Sequence, residues 1–182
     1  IMTLPEGIQL KRSDYLDRSV LIVTDSNFNY IEHSVPTTGK ILQIRGGHEN
    51  LYMSIRIPLG IPYILVGQDT IFNKYQPPGE FWTSLVIASY NLGTKTFNWS
   101  KWIGTTDLNY IYGLQMDQEE NLILLVSTLL PIELPGEDTI HVGNGVTNCD
   151  VLKFDKNGDY LWSQNFNEQS PYIYGLDVDE AG

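Results

Sequence analysis

Short runs of alternating apolar and polar residues, punctuated by Asn, Asp and Gly, recur along most of the chain. Period-two alternation places every second side chain on one face of an extended backbone, so these runs predict strands rather than helices. Ser-Val-Leu-Ile-Val-Thr at 19–24, a turn through Asp25, Ser26 and Asn27, and Tyr-Ile-Glu-His-Ser-Val at 30–35 read together as a hairpin. The pattern returns at 84–90 with 96–102, and again at 150–154 with 159–163. The last hairpin turns through Asp155, Lys156, Asn157 and Gly158. Asn-Gly between apolar runs predicts a type I′ turn, with both central residues at positive φ.

A second pair of strands lies between the hairpins. The segment 39–45 followed by 50–54 aligns with 113–117 followed by 121–125. Tyr-Ile-Tyr-Gly-Leu is written at 110–114 and again at 172–176, and Trp99 finds its counterpart in Trp162. Self-similarity at a fixed spacing is the signature of a stacked or radial array. The chain accordingly divides into a lead-in or linker at 1–18 and a repeat region at 19–182. That region holds a half unit (19–35), a unit at 39–103, a unit at 110–167 and the start of another at 172–182. The expected fold is all-β, made of repeated four-stranded antiparallel meanders. Within it Leu114, Met116, Leu176 and Val178 should face sheet packing, and Gln115, Asp117, Asp177 and Asp179 the other side. The long connections 56–83 and 128–148 carry echoes of each other at 66–71 and 139–144, expected to be short added strands on loops that line one rim.

The stretch from Val151 through Trp162, followed by Tyr-Gly-Leu-Asp-Val-Asp at 174–179, resembles the β-propeller repeats of bacterial surface and secreted proteins known as SBBP repeats. The resemblance is close over 84–182. It is looser over 19–56, where Glu32 and His33 stand in the region that holds tryptophan in the other copies. It implies β-propeller-like blades around an axis, a binding or scaffolding role and no catalytic residues. Two full units and two partial ones are fewer than the roughly four to eight blades of a closed propeller. The chain is therefore expected to be a segment of a larger propeller or to assemble with copies of itself or with other chains.

Charge narrows the partners. Lysine and arginine total 11 against 22 aspartates and glutamates, a net charge of -11, which opposes nucleic acid and anionic lipid. The longest apolar run, 122–132, is broken by Ser127, Thr128 and Pro131 and falls short of the roughly 20 residues of a membrane helix, so no membrane insertion is expected. The first residue is Ile1 and no signal-peptide pattern follows, so the sequence reads as a piece of a longer polypeptide. Cys149 is the single cysteine, which removes intrachain disulfides and paired-cysteine metal or redox motifs.

Candidate chemistry is sparse. Asp155 to Asp159 superficially suggests a calcium loop but lacks the distal bidentate glutamate, and a hairpin turn accounts for its residues. His33, His48 and His141 fall in different units without ligand spacing, so neither a metal nor another cofactor is expected. Asn98-Trp99-Ser100 is a formal glycosylation sequon inside an expected strand. Nucleophile elbows and phosphate-binding glycine loops are absent from the sequence. Tyr110, Tyr112, Tyr172 and Tyr174, at the entrance of the inner strand, are the candidate ligand-binding residues, with padding between blades as the plainer reading. Trp99, Trp102 and Trp162 could stack on sugars or pack between units.

The expected function is a non-enzymatic structural or interaction module of a surface, secreted or virion-appendage protein, located outside the cell. Its partner would be another protein or the remainder of a longer chain. The alternative is a carbohydrate-binding propeller of lectin or adhesin type with a glycan ligand. A polysaccharide-processing enzyme rests on fold analogy alone.

Overall fold

Alternation becomes antiparallel sheet in the computed structural model, which describes residues 8–12, 19–24, 30–34, 37–58, 61–73, 84–105, 108–128, 132–134, 148–166 and 175–179. Among them there are strands and turns but no helix. In chain order the strands are β1 (Ile8–Arg12), β2 (Ser19–Thr24), β3 (Tyr30–Ser34), β4 (Lys40–Gly46), β5 (Asn50–Ile57), β6 (Tyr63–Val66) and β7 (Asp69–Phe72). They continue with β8 (Ser84–Asn91), β9 (Thr96–Thr105), β10 (Leu108–Met116), β11 (Leu122–Thr128), β12 (Ile132–Glu133), β13 (Asn148–Phe154) and β14 (Tyr160–Phe166).

Two four-stranded meanders emerge, β4-β5-β8-β9 and β10-β11-β13-β14, and β12 adds to the outer edge of the first beside β9. A third sheet, β1-β2-β3, holds the first hairpin together with one strand before it. The segment read as a lead-in thus contains a strand, Ile8–Arg12, whose partner is β2. The echo at 66–71 belongs to the β6-β7 hairpin, and 139–144 lies outside the described residues.

Registers show how closely the units repeat. Leu51 faces Tyr90 and Tyr90 faces Phe97 in the first meander; Leu122 faces Phe154 and Phe154 faces Tyr160 in the second. Ser89 opposite Trp99 matches Lys153 opposite Trp162, so the two tryptophans are equivalent in backbone register. Each of these outer pairs carries a bulge in the same place, with Asn98 or Leu161 as the extra residue. The β2-β3 pair shifts at the same point, between Val23 opposite Glu32 and Thr24 opposite Tyr30.

A strand buried on both faces reads as a continuous apolar run. Seven consecutive residues of β8, from Ser84 to Tyr90, and all of β11 are buried. Leu85 and Ile87 join Leu114, Leu124 and Leu152 in a core between the two meanders. Val86 and Ala88, pointing the other way, join Met53 and Ile55 in a second core. That core is completed by Ile64 and Val66 of the β6-β7 hairpin, so this long connection folds against the sheet. Thr38 fastens the hairpin, donating its amide to the Leu65 carbonyl at 3.0 Å and accepting the Leu65 amide on Oγ1 at 2.8 Å.

The hairpin at Asp155 forms as expected, but its turn is of another type. Only Gly158 has positive φ, at 80°, while Asn157 does not. The Asp155 carboxylate explains the difference: its Oδ1 accepts the amides of Asn157 and Asp159, both at 2.8 Å. The Gly158 amide closes a type I turn onto the Asp155 carbonyl at 2.9 Å, and a left-handed residue follows to rejoin the strand. The β10-β11 turn has the same construction. Asp117 Oδ1 accepts the amides of Glu119 and Asn121 at 2.9 Å, and Glu120 takes the left-handed position at φ 62°.

Candidate functional site

The chemistry-bearing contacts gather at the seam between the two meanders. On the outer side, the bulge at Asn98 turns strand β9 over, so Phe97 packs on one core and Trp99 on the other. Trp99 lies over the neighbouring sheet's hairpin turn, its indole Nε1 donating to the Lys156 carbonyl at 2.9 Å. A methyl group built on Gly158 would stand 2.8 Å from two carbons of that indole, so close approach as well as positive φ requires glycine there. Lys101, two residues further along β9, pairs with Asp159 at 3.1 Å.

In the middle of the seam, Glu120 reaches back to the first sheet. Its Oε1 accepts the His48 amide at 2.7 Å, and its Oε2 accepts the Tyr52 hydroxyl at 3.1 Å. Burial first, and the Glu120 carboxylate second, push Tyr52 up to about 12. Across the β10-β11-β13 sheet, Lys153 Nζ meets Asp117 Oδ2 at 2.8 Å with both side chains largely buried. Burial pushes the Asp117 carboxyl up, but the Lys153 ammonium and the Asn121 and Glu119 donors outweigh it and hold the group below the ordinary carboxylate range.

On the inner side, the first strands of successive units are laced by side chains. Arg45 Nε donates to Gln115 Oε1 at 2.9 Å, and the Leu114 amide donates to Gln43 Oε1 at 3.2 Å. Gln115 Nε2 in turn donates to the Leu176 carbonyl at 3.0 Å, which ties 175–179 to the second meander. Gly113 of the repeated Tyr-Gly-Leu permits that approach, because a Cβ there would stand 2.7 Å from the Leu176 Cβ.

This geometry places the residues singled out from sequence. Tyr110 occupies β10 opposite Ser127, and Tyr112 is the half-buried extra residue of the adjoining bulge. Tyr172 and Tyr174 lie outside the described residues. Trp102 is 7% exposed and belongs to the second core, with Val86 and Met53, whereas Trp162 is 43% exposed. Leu176 and Val178 alternate in exposure with Asp177 and Asp179. In the first copy the alternation fails, because Gln115 is engaged in the lacing and Asp117 by Lys153.

Asp155 spends its carboxylate on the turn's own donors, which accounts for its place without a cation. Among the described residues no three His, Cys, Asp or Glu side chains gather as a metal site. His48 is exposed, His33 lies in β3 and His141 falls outside the described residues. Asn98 of the sequon donates to Asn50 Oδ1 at 2.9 Å and Ser89 Oγ at 3.1 Å within the sheet. No family model, curated protein or solved structure matches the chain.

Proposed function

We propose that the chain is a non-enzymatic structural and interaction module, built of propeller-type blades, in a surface, secreted or virion-appendage protein. The observation that carries this reading is the inner lacing, in which Gln115 accepts from Arg45 of the preceding unit and donates to Leu176 of the following one. Equivalent strands of consecutive sheets therefore lie side by side, as blades do around an axis. The outer contact agrees, since Trp99 closes the first meander onto the hairpin turn of the second. The polar groups at the seam are engaged with one another, so they serve cohesion between units.

A carbohydrate-binding module is the second reading, favoured by the exposed Trp162 with Leu161 and Phe166 on the same strand. A glycan array followed by tryptophan-fluorescence titration separates the two. The interaction module gives no saccharide-dependent change. A saccharide that quenches the wild-type protein and leaves Trp162→Phe unaffected would replace the first reading with the second.

A further inference from the structure

We propose that Asn157 is a site of spontaneous deamidation gated by the seam between the two meanders. Its side-chain amide is converted when the turn at Asp155 opens, and the isoaspartate product then keeps the turn from closing under Trp99. The seam itself builds in the labile pair. Gly158 is required by its φ of 80° and by the indole lying over it, and the residue before it is Asn157.

The chemistry needs only water. The backbone nitrogen of Gly158 attacks Cγ of Asn157, and the new C–N bond closes a five-membered succinimide. The Cγ–Nδ2 bond breaks, and the side-chain nitrogen takes up the Gly158 amide proton and leaves as ammonia. Water then opens the ring. Attack at the former backbone carbonyl gives isoaspartate, in which the chain runs through Cβ and Cγ; attack at Cγ gives an ordinary aspartate. Nothing is oxidised or reduced. A following glycine favours the first step, because it has no side chain to obstruct the approach and its backbone turns freely.

In the closed turn Asp155 holds both reacting groups. The Gly158 amide donates to the Asp155 carbonyl at 2.9 Å, so the nucleophile keeps its proton. Asn157 Nδ2 donates to Asp155 Oδ2 at 3.2 Å, and the Asn157 amide to Oδ1 at 2.8 Å, which fix the leaving group and the backbone beside it. Asn157 is exposed to water, whereas Gly158 is buried beneath the indole. Ring closure needs the 157–158 peptide to rotate and carry the Gly158 nitrogen off the Asp155 carbonyl toward Cγ. Two contacts from the first meander oppose that rotation: Trp99 Nε1 on the Lys156 carbonyl at 2.9 Å and Lys101 on Asp159 at 3.1 Å.

The product makes the opening permanent. Isoaspartate lengthens the backbone by one carbon inside a turn whose ends are fixed by the pairing of Phe154 with Tyr160, so the Gly158 amide no longer meets the Asp155 carbonyl. It also exchanges a neutral amide for a carboxylate between Asp155 and Asp159, where like charges repel. Local openings of this kind occur in the native state without global unfolding. The seam therefore sets the rate of a one-way modification that in turn dismantles the seam.

Peptide mapping by mass spectrometry tests this on the folded protein, incubated at mildly alkaline pH beside a synthetic peptide of residues 153–160. Asn144-Gly145, outside the described residues, is read separately from its own fragment. An opening populated at about 0.1–10% should slow Asn157 about ten- to a thousandfold relative to the peptide. Trp99→Phe, which keeps a ring but no N–H, should speed conversion about two- to tenfold, and Trp99→Ala further. Amides of β11 and β13 should keep wild-type protection from hydrogen exchange in both variants. Protein converted at Asn157, separated by anion exchange, should exchange its Asp155 and Gly158 amides freely. Wild-type conversion at the peptide's rate overturns the gating, as does Trp99→Ala converting no faster than wild type. Acceleration matched by an equal loss of protection in β11 and β13 also overturns it, because global unfolding is then the gate. Converted protein that still protects the Asp155 and Gly158 amides refutes the loss of the seam.

Discussion

Adding one methyl group at Gly158 should cost far more than an exposed turn position would suggest, and the excess should depend on a residue in the other sheet. Gly158 sits at φ 80°, where a side chain costs about 1–2 kcal/mol. The new Cβ would also stand 2.8 Å from two indole carbons and 3.0 Å from a third, and overpacking of this kind costs about 1–3 kcal/mol. The indole cannot swing aside freely, because Lys156 holds its nitrogen and the Tyr52 ring lies 6.3 Å from it. Gly158→Ala is therefore expected to destabilise the wild-type protein by about 2–5 kcal/mol, the sum of the two effects. In a Trp99→Ala background the steric part disappears and about 1–2 kcal/mol remains. The double-mutant cycle, read from urea unfolding, should give a coupling of about 1–3 kcal/mol. A coupling below about 0.5 kcal/mol would refute the contact, since independent sites add within that margin.

Two pH dependences follow from the seam. The Asp117 carboxyl is held below its ordinary range, so its stabilisation is complete above about pH 4, the unfolded value, and is lost as pH falls through the lower folded one. Asp117→Asn should cost about 2 kcal/mol at neutral pH, the worth of hydrogen bonds to a charged group, and the gap in melting temperature should narrow in acid. A constant gap across the acid range would remove the carboxylate from the explanation. Tyr52 is raised to about 12, so its contribution is intact below about pH 10 and is lost as pH climbs from there toward 12. Tyr52→Phe should delete one late-ionising phenol from the ultraviolet titration and flatten the alkaline side of the stability curve; loss of a phenol that titrates near 10 instead would contradict the burial and the Glu120 contact behind the shift.

Strands were readable because period two is written into each of them, and because turns rich in Asn, Asp and Gly separate them. The unit order was readable from pairs of equivalent residues such as Leu51 with Leu122 and Trp99 with Trp162, which the registers align. Strand Ile8–Arg12 was not, because its alternation runs over only Ile8 to Lys11 and it holds its place by pairing with β2. Strand Ile132–Glu133 is too short to show any period and exists through Thr105 and Gly104 of β9. Lys95 and Glu120 occupy left-handed positions without being glycine, so the usual punctuation is missing there. The turn at Asp155 was misread because Asn-Gly alone argues for one geometry, while a carboxylate two residues earlier selects another. The lacing through Gln115 had a faint signal, a polar residue in the middle of each inner strand, but its partners lie in other units.

Directionality is the consequence of the bulge that each outer strand repeats. An unbroken strand would put Phe97 and Trp99 on the same face. The extra Asn98 inverts the face between them, so Phe97 closes the core on one side of its sheet and Trp99 reaches the sheet on the other. Leu161 does the same for Tyr160, which packs against Phe154 at a ring distance of 6.1 Å, and for Trp162, which faces outward. The seam thus joins two faces that differ in chemistry: the first meander donates the Trp99 indole N–H, and the second offers a turn with the Lys156 carbonyl. Two donating faces have no turn to offer each other, and two receiving faces have no indole. The contact between the two meanders is therefore heterologous, joining unlike faces.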